Sequence, residues 1–288
     1  LNLPSLRADG FSMSIMEKLQ RSRKSSITFA PEAGTQRLRD AINKNVTEED
    51  LLKSCRTVFE GGWDKVKLYF MLGLPTETDE DVLGIADLAN KVYLCWRQYA
   101  VSRARGIRIT VSTSFFVPKP FTPFQWEGQI TMEEYQRRVQ LLRSAITNKS
   151  IIYNWHDPDT SYLEAVFARG DRRLAPVIEE AWRQGAKFDS WSEYFDLERW
   201  LTACRTCGVD PDFYATRERT KDEVLPWSHI SVGVRPAYFW REREQAYKSV
   251  ITPDCRVQCM GCGADRLLEC GKCDEALTRR ERAERGEV

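Results

Sequence analysis

Apolar positions along the first half of the chain follow two alternating patterns. Three short segments have the composition of buried strands, and they are residues 26–30, 65–72 and 107–117. Residues 65–72 are almost entirely apolar, as expected of a strand covered on both faces. After each segment, apolar residues recur at the spacing of a helix face. A threonine with acidic residues close behind it opens each helical stretch, at Thr47, Thr78 and Thr131.

Strand and helix patterns that alternate in this way predict βα units and a parallel sheet. Residues 1–6 have the pattern of an earlier strand end, and residues 13–20 that of its helix. Three or four such units are too few to close a barrel of eight. The pattern therefore leaves two α/β architectures open, an open parallel sheet and the second half of a truncated barrel.

The character of the sequence changes along the chain, which predicts four segments. They are an α/β portion at 1–150, a tryptophan-rich and mostly helical extension at 151–250, a cysteine-rich metal-binding segment at 251–274 and a charged tail at 275–288. Within the extension, the helical pattern is clearest near 160–185 and 192–206. The tail is expected to be a frayed or disordered helix.

Charge and composition exclude several classes of function. The 288 residues include 43 basic and 42 acidic side chains, a net charge of +1, so attraction of the whole molecule to nucleic acid or to a membrane is not expected. No apolar run approaches the ~18 residues of a membrane-spanning helix, and no signal segment follows Leu1. We therefore expect a cytoplasmic protein and, because residue 1 is not methionine, one that begins further upstream.

Five of the nine cysteines lie close together near the C-terminus, in the spacing CxxxCxxC-x7-CxxC: Cys255, Cys259, Cys262, Cys270 and Cys273. In a chain without a signal segment, crowded thiolates favour metal binding over disulfides. Four of them suffice for a tetrahedral Zn²⁺ or for an auxiliary iron–sulfur cluster. The sequence leaves open which metal is bound and which cysteine is spare.

In parallel α/β folds, the loops that follow the strands carry the chemistry. Glu32 places a carboxylate in the first such loop, where it can accept hydrogen bonds from ribose hydroxyls or an amino group. Gly34 and Gly73, in the first two loops, allow the backbone to approach a ligand closely. A purely structural interpretation also stands, in which Gly73 ends a strand and Glu32 caps a helix.

In order along the chain, three segments resemble the second half of a radical S-adenosylmethionine (SAM) domain: TFAPEAGTQRLRDAINKNVTEEDLL, KVKLYFMLGLPTETDEDV and VSTSFFVPKPFTPFQW. The resemblance is to an uncharacterised family of radical SAM proteins with a B12-binding domain, and it covers most of the chain. It implies the C-terminal half of a partial, TIM-like (β/α)6 barrel, with about strands 3–6 in residues 1–150. It also implies SAM and a [4Fe-4S] cluster as cofactors, with cobalamin a candidate in the full-length protein.

The resemblance assigns cofactor roles to particular residues. Glu32 matches a Glu or Gln near the ribose of SAM, and Lys44 matches a basic residue near the carboxylate of SAM. Tyr69 lies on the next strand at a position that can face the cofactor. Ser5 and Arg7 end the preceding strand beside the same cavity.

Two features depart from the family pattern. The family binds its cluster through a CxxxCxxC loop after the first strand, and residues 1–254 contain no such motif. The cluster ligands and any B12 domain are therefore expected upstream, and this chain alone is expected to be inactive. Residues 255–262 have the CxxxCxxC spacing, but too few residues follow them to form a barrel. Phe121 stands where the family has a histidine.

The leading hypothesis is the C-terminal part of a radical SAM enzyme. It would join the N-terminal half of the same protein and act on an unknown substrate, a small molecule or RNA. The alternative is a zinc-ribbon binding module on an α/β scaffold that contacts RNA, although residues 255–273 lack the aromatic side chains such a module uses. A third hypothesis is a structural chain that never had the cluster loop.

Overall fold

The computed structural model describes residues 26–255 and 257–264, and the chain divides into two compact units. The first unit comprises Leu1–Phe116 and Ile130–Ser161, and the second comprises Val117–Gln129 and Tyr162–Val288. Three segments with predicted structure lie outside the described residues: 1–6, 13–20 and 275–288.

Four parallel strands form the sheet of the first unit, in the spatial order β1-β2-β3-β4. They are β1 (Ile27–Glu32), β2 (Lys65–Leu72), β3 (Arg108–Phe115) and β4 (Ile151–Trp155). Each strand lies beside the strand that precedes it in the chain, so the order never reverses. This favours the wall of a barrel, because an open doubly wound sheet reverses its strand order.

Helices connect the strands, and three of the four, α2 to α4, begin after the threonines that the sequence pattern marks. They are α1 (Gln36–Ala41), α2 (Glu48–Glu60), α3 (Asp79–Tyr99) and α4 (Met132–Ala145). Thr47 and Thr131 accept hydrogen bonds from the backbone N–H groups of Asp50 and Glu134, which a helix start otherwise leaves unpaired. In α2, the Asp50 carboxylate also accepts the Thr47 N–H at 3.0 Å, which completes a capping box.

One face of the sheet is apolar, and the helices cover it. On β2 this face consists of Val66, Leu68, Phe70 and Leu72, each at most 1% exposed. Together with the inward sides of α2, α3 and α4, it forms the main hydrophobic core. Because burial of one large apolar side chain contributes ~1.5–3 kcal/mol, this layer dominates the stability of the first unit.

The structure corrects the predicted start of the helical extension. The sequence pattern places residue 151 in the extension, whereas Ile151–Trp155 is the fourth strand of the sheet, parallel to β3. The strand has five residues where β2 has eight, and three of the five are exposed. A short edge strand of this kind leaves little signal in the sequence.

Helices follow β4, in agreement with the helical pattern of the extension. They are α5 (Pro158–Ala168), α6 (Ala175–Arg183), α7 (Leu197–Thr206), α8 (Asp212–Ala215) and α9 (Pro236–Tyr247). In the second unit, the buried Arg169 guanidinium donates to the carbonyl oxygens of Ala215 at 2.6 Å and Arg217 at 2.7 Å. Burial lowers the pKa of Arg169 to about 10. The carbonyl contacts stabilise a charge that would otherwise be costly to bury.

Candidate functional site

The second face of the sheet is polar and mostly half-buried. Its residues are Thr28 and Ala30 of β1, Lys67, Tyr69 and Met71 of β2, and Thr110, Ser112 and Ser114 of β3, and we add Glu32, which ends β1 where the strand pairing shifts register. The expectation that β2 is covered on both faces is therefore wrong, since its alternate residues are only half-buried or exposed. We call these nine residues the polar face, and they are the candidate ligand-binding surface.

Glu32 ends β1 in a backbone conformation that residues other than glycine rarely adopt. Its φ is 68°, directly after an irregularity in the pairing of β1 with β2. Such a conformation costs about 1–3 kcal/mol and is concentrated at functional sites. The Glu32 carboxylate accepts a hydrogen bond from the Lys44 ammonium at 3.1 Å, and the two side chains are 26% and 31% exposed. The structure thus brings together two residues that the sequence assigned separately to a cofactor site.

Tyr69 lies on the polar face beside a residue that the sequence pattern did not single out. Lys67 donates to the Tyr69 hydroxyl at 2.6 Å, and its ammonium lies 4.3 Å from the centre of the tyrosine ring. The available signal was a lysine two positions before Tyr69, which puts both side chains on one face of the strand. Lys67 therefore gives the polar face a cation, on the strand next to β1.

A single carboxylate joins the loop after β1 to the loop after β2. Asp81, in the first turn of α3, accepts hydrogen bonds from the Thr35 hydroxyl, the Arg37 guanidinium and the Thr78 N–H, the last at 2.8 Å. Desolvation alone would raise the pKa of Asp81, but these donors outweigh it and hold the pKa below its ordinary value. The two loops at the carboxyl end of the sheet are therefore tied to each other.

A second carboxylate closes the turn after β2. Glu77 accepts the Gly73 N–H at 2.7 Å and pairs with Arg138 of α4, which also donates to Glu134 at 2.7 Å. Desolvation raises the pKa of Glu77 to about 7, although the Gly73 N–H and Arg138 oppose the shift. The Glu77 side chain is 1% exposed, so it holds the turn in place and does not face a ligand.

Gly34 has a packing role that the sequence did not predict. A Cβ atom at this position would lie 2.2 Å from the Asp81 carbonyl oxygen and 2.5 Å from the Ile85 nitrogen. The loop after β1 therefore presses directly against the first turns of α3, where only glycine fits. The close approach expected at Gly34 is made to a helix of the same unit, and its contact with a cofactor stays a prediction.

Four residues of the predicted sites lie outside the described residues: Ser5, Arg7, Cys270 and Cys273. Of the remaining predicted metal ligands, Cys255 and Cys259 are exposed and Cys262 is half-buried. Within 26–255 and 257–264, no three His, Cys, Asp or Glu side chains are grouped so that they could hold a metal ion. Metal binding at the C-terminal cysteines stays a prediction.

Fold and site together define a class of protein. The first unit is a parallel α/β structure whose helices cover one face of the sheet and whose other face presents charged and hydroxyl-bearing side chains. Glu32 and the loops joined by Asp81 lie at the carboxyl ends of the strands, where parallel α/β folds bind their ligands.

Comparison with known proteins finds similarity to one family. Residues 4–89 match the family model of the radical SAM superfamily. An uncharacterised protein of Methanocaldococcus jannaschii is 31% identical over 179 residues, which cover 61% of this chain. The aligned segment covers 36% of the length of that relative. Among the helices that the structure describes, none is both long and apolar enough to cross a membrane.

Proposed function

We propose that this chain is the C-terminal part of a radical SAM enzyme and that its polar face holds S-adenosylmethionine. The Glu32–Lys44 pair carries the proposal. It lies within the segment that matches the superfamily, at the carboxyl end of β1, and Glu32 is in a strained backbone conformation. Strain of this kind persists only where the surrounding structure enforces it, which is common at binding sites.

The donors and acceptors of the pair suit the polar groups of SAM. Lys44 gives one of its three N–H donors to Glu32, and no other described residue accepts from it. Its remaining donors are available to the SAM carboxylate, as the family resemblance implies. The second carboxylate oxygen of Glu32 is available to a ribose hydroxyl, and Tyr69 adds a hydroxyl group on the neighbouring strand.

The chain's own residues bind and orient, while the cofactors supply the reactive chemistry. Together with a reduced [4Fe-4S] cluster, SAM would supply radical chemistry at the site. Glu32 and Lys44 fix the ribose and the carboxylate, and the Asp81 contacts keep the two adjoining loops in place. Because residues 1–254 contain no CxxxCxxC motif, the proposal takes the cluster ligands from elsewhere in the protein, with this chain inactive alone. Cobalamin is a further candidate cofactor of the whole protein.

The C-terminal cysteines complete the proposal. Five thiols within one short segment suit a structural Zn²⁺ or an auxiliary iron–sulfur cluster. A zinc site would fold the segment 251–274, whereas a cluster would add a redox centre to the enzyme. Iron, sulfide and zinc analysis of the anaerobically purified chain separates the two, and a loss of the metal in a Cys259→Ala and Cys262→Ala double variant would assign it to these residues.

Binding of labelled SAM to the whole protein that contains this chain, measured by equilibrium dialysis, tests the assignment of the polar face. Glu32→Ala and Lys44→Ala are each expected to weaken binding at least about tenfold, because each removes a hydrogen bond to a charged group. Glu49→Ala and Lys53→Ala are the matched controls, since both residues are exposed on α2. Equal affinities in all four variants would contradict the proposal, and so would the absence of binding by the wild type.

A further inference from the structure

The second unit contains a cavity of about 310 Å³ that is lined mainly by apolar side chains. Four aromatic residues supply much of the lining: Phe121, Trp126, Trp227 and Phe239. The volume is at the small end of the ~300–1,000 Å³ range of sites that bind small molecules. No residue of the polar face contributes to it, so the cavity is a candidate for a binding site that the proposed SAM site does not explain.

The position of Trp227 in the cavity wall is fixed by its neighbours. Its indole N–H donates to Gln125 Oε1 at 2.6 Å, and the same oxygen accepts the Phe121 N–H at 3.2 Å. The Arg219 guanidinium carbon lies 5.1 Å from the centre of the Trp227 ring. Arg219 is itself buried, and its backbone N–H donates to the Trp126 carbonyl at 2.7 Å. A wall held in this way binds a flat molecule with little loss of side-chain freedom.

One residue of the lining has an unfavourable backbone conformation. Phe121 has a φ of 58°, in the left-handed region, and such strain in a residue other than glycine is concentrated at functional sites.

The charge at the cavity is positive. Glu223 accepts two hydrogen bonds from Arg217, at 2.8 Å and 2.6 Å, so its negative charge is compensated. Lys221 also lines the cavity and is exposed, and no carboxylate in the described ranges forms an ion pair with it. An anionic group on a ligand would complement Lys221.

We infer that this cavity binds a small planar aromatic molecule that carries an anionic group. The rings pack against Trp227 and Phe239, and the negative charge pairs with Lys221. The inference is independent of the proposed SAM site, because it rests on side chains of the second unit alone.

Two fluorescent probes with similar aromatic rings test the site on the full chain: anionic anilinonaphthalene sulfonate and neutral phenylnaphthylamine. We expect one molecule of the anionic probe to bind per chain, at least about threefold more tightly than the neutral probe. Trp227→Leu is expected to weaken both probes at least about tenfold. Lys221→Met is expected to abolish the preference for the anionic probe.

Matched variants elsewhere in the second unit keep the test specific. Trp182→Leu and Lys187→Met are expected to leave binding unchanged, since Trp182 is 62% exposed and Lys187 is also on the surface. Circular dichroism checks that every variant is folded, and Lys221→Met is the mildest change because Lys221 is exposed. The site is overturned if neither probe binds, if several molecules bind per chain, or if the control variants lose as much affinity as the cavity variants. Equal affinities for the two probes would contradict the proposal that the ligand carries an anionic group.

Discussion

Glu77 and Glu134 bind the same guanidinium, but because they differ in burial, their pKa values are very different. Arg138 pairs with both carboxylates. The side chain of Glu77 is 1% exposed, and desolvation raises its pKa to about 7. The side chain of Glu134 is 32% exposed, and hydrogen bonds from Arg137 and then Arg138 lower its pKa to about 2. Water solvates the charge of Glu134, whereas the partners of Glu77 do not fully replace the water it has lost.

Glu77 is expected to make the folded chain less stable as the pH rises from about 5 to about 8. Because its folded pKa lies above its ordinary value, the folded chain holds a proton in this interval that the unfolded chain has released. The free energy of unfolding therefore falls with rising pH. Glu77→Gln removes this titration, so the wild type should lose stability relative to the variant, as measured by urea denaturation at both pH values.

Glu134→Gln is the matched control for that experiment. The depressed pKa of Glu134 means that its stabilising contribution is complete above its ordinary pKa and is lost only as the pH falls toward 2. The difference between wild type and Glu134→Gln should thus stay constant from about pH 5 to about pH 8. A wild type that holds or gains stability relative to Glu77→Gln over the same interval would contradict the raised pKa of Glu77.

The sequence predicts the candidate site residues better than it predicts which of them are in contact. The family resemblance pointed to Glu32 and Lys44, but their ion pair depends on the course of the loop between them. Glu77 in a polar turn looks exposed in the sequence, and only Arg138 of a distant helix explains its burial. Contacts of this kind are tertiary, so no local pattern carries them.

Among the elements, helix starts follow from local sequence while packing between elements does not. Thr47, Thr78 and Thr131 are the N-cap residues of their helices, and β2 has the predicted bounds Lys65–Leu72. An N-cap threonine acts within one turn, so a short stretch of sequence suffices to recognise it. The contact of Gly34 with α3 joins residues far apart in the chain, and it was not predictable for that reason.

Gly34→Ala is expected to destabilise the chain by about 3 kcal/mol, because the added methyl group would have to displace the backbone of α3. Gly106→Ala is the comparison. Gly106 has a φ of +68°, but no atom lies within 4 Å of an added Cβ, so only backbone strain of about 1 kcal/mol is expected. Chemical denaturation measures both losses. A loss for Gly34→Ala no larger than that for Gly106→Ala would argue against the close contact with α3.

The whole molecule combines a sheet unit that carries the proposed cofactor site with a second unit that contains an aromatic cavity. The α/β class and the superfamily could be predicted from the sequence, because strand–helix alternation and ordered motifs can be recognised without knowledge of tertiary contacts. The polarity of one sheet face and the cavity could not, since both depend on which side chains the fold leaves uncovered. The central claim is that the polar face serves a radical SAM enzyme.

Reductive cleavage of SAM by the whole protein that contains this chain tests that claim most directly. The protein would be purified without oxygen, reconstituted with iron and sulfide and reduced, and 5′-deoxyadenosine would be quantified by chromatography. We expect the wild type and Glu49→Ala to form 5′-deoxyadenosine at equal rates. Glu32→Ala should form it at least about tenfold more slowly at low SAM concentration. If the wild type binds its cluster and forms no 5′-deoxyadenosine, the claim is wrong.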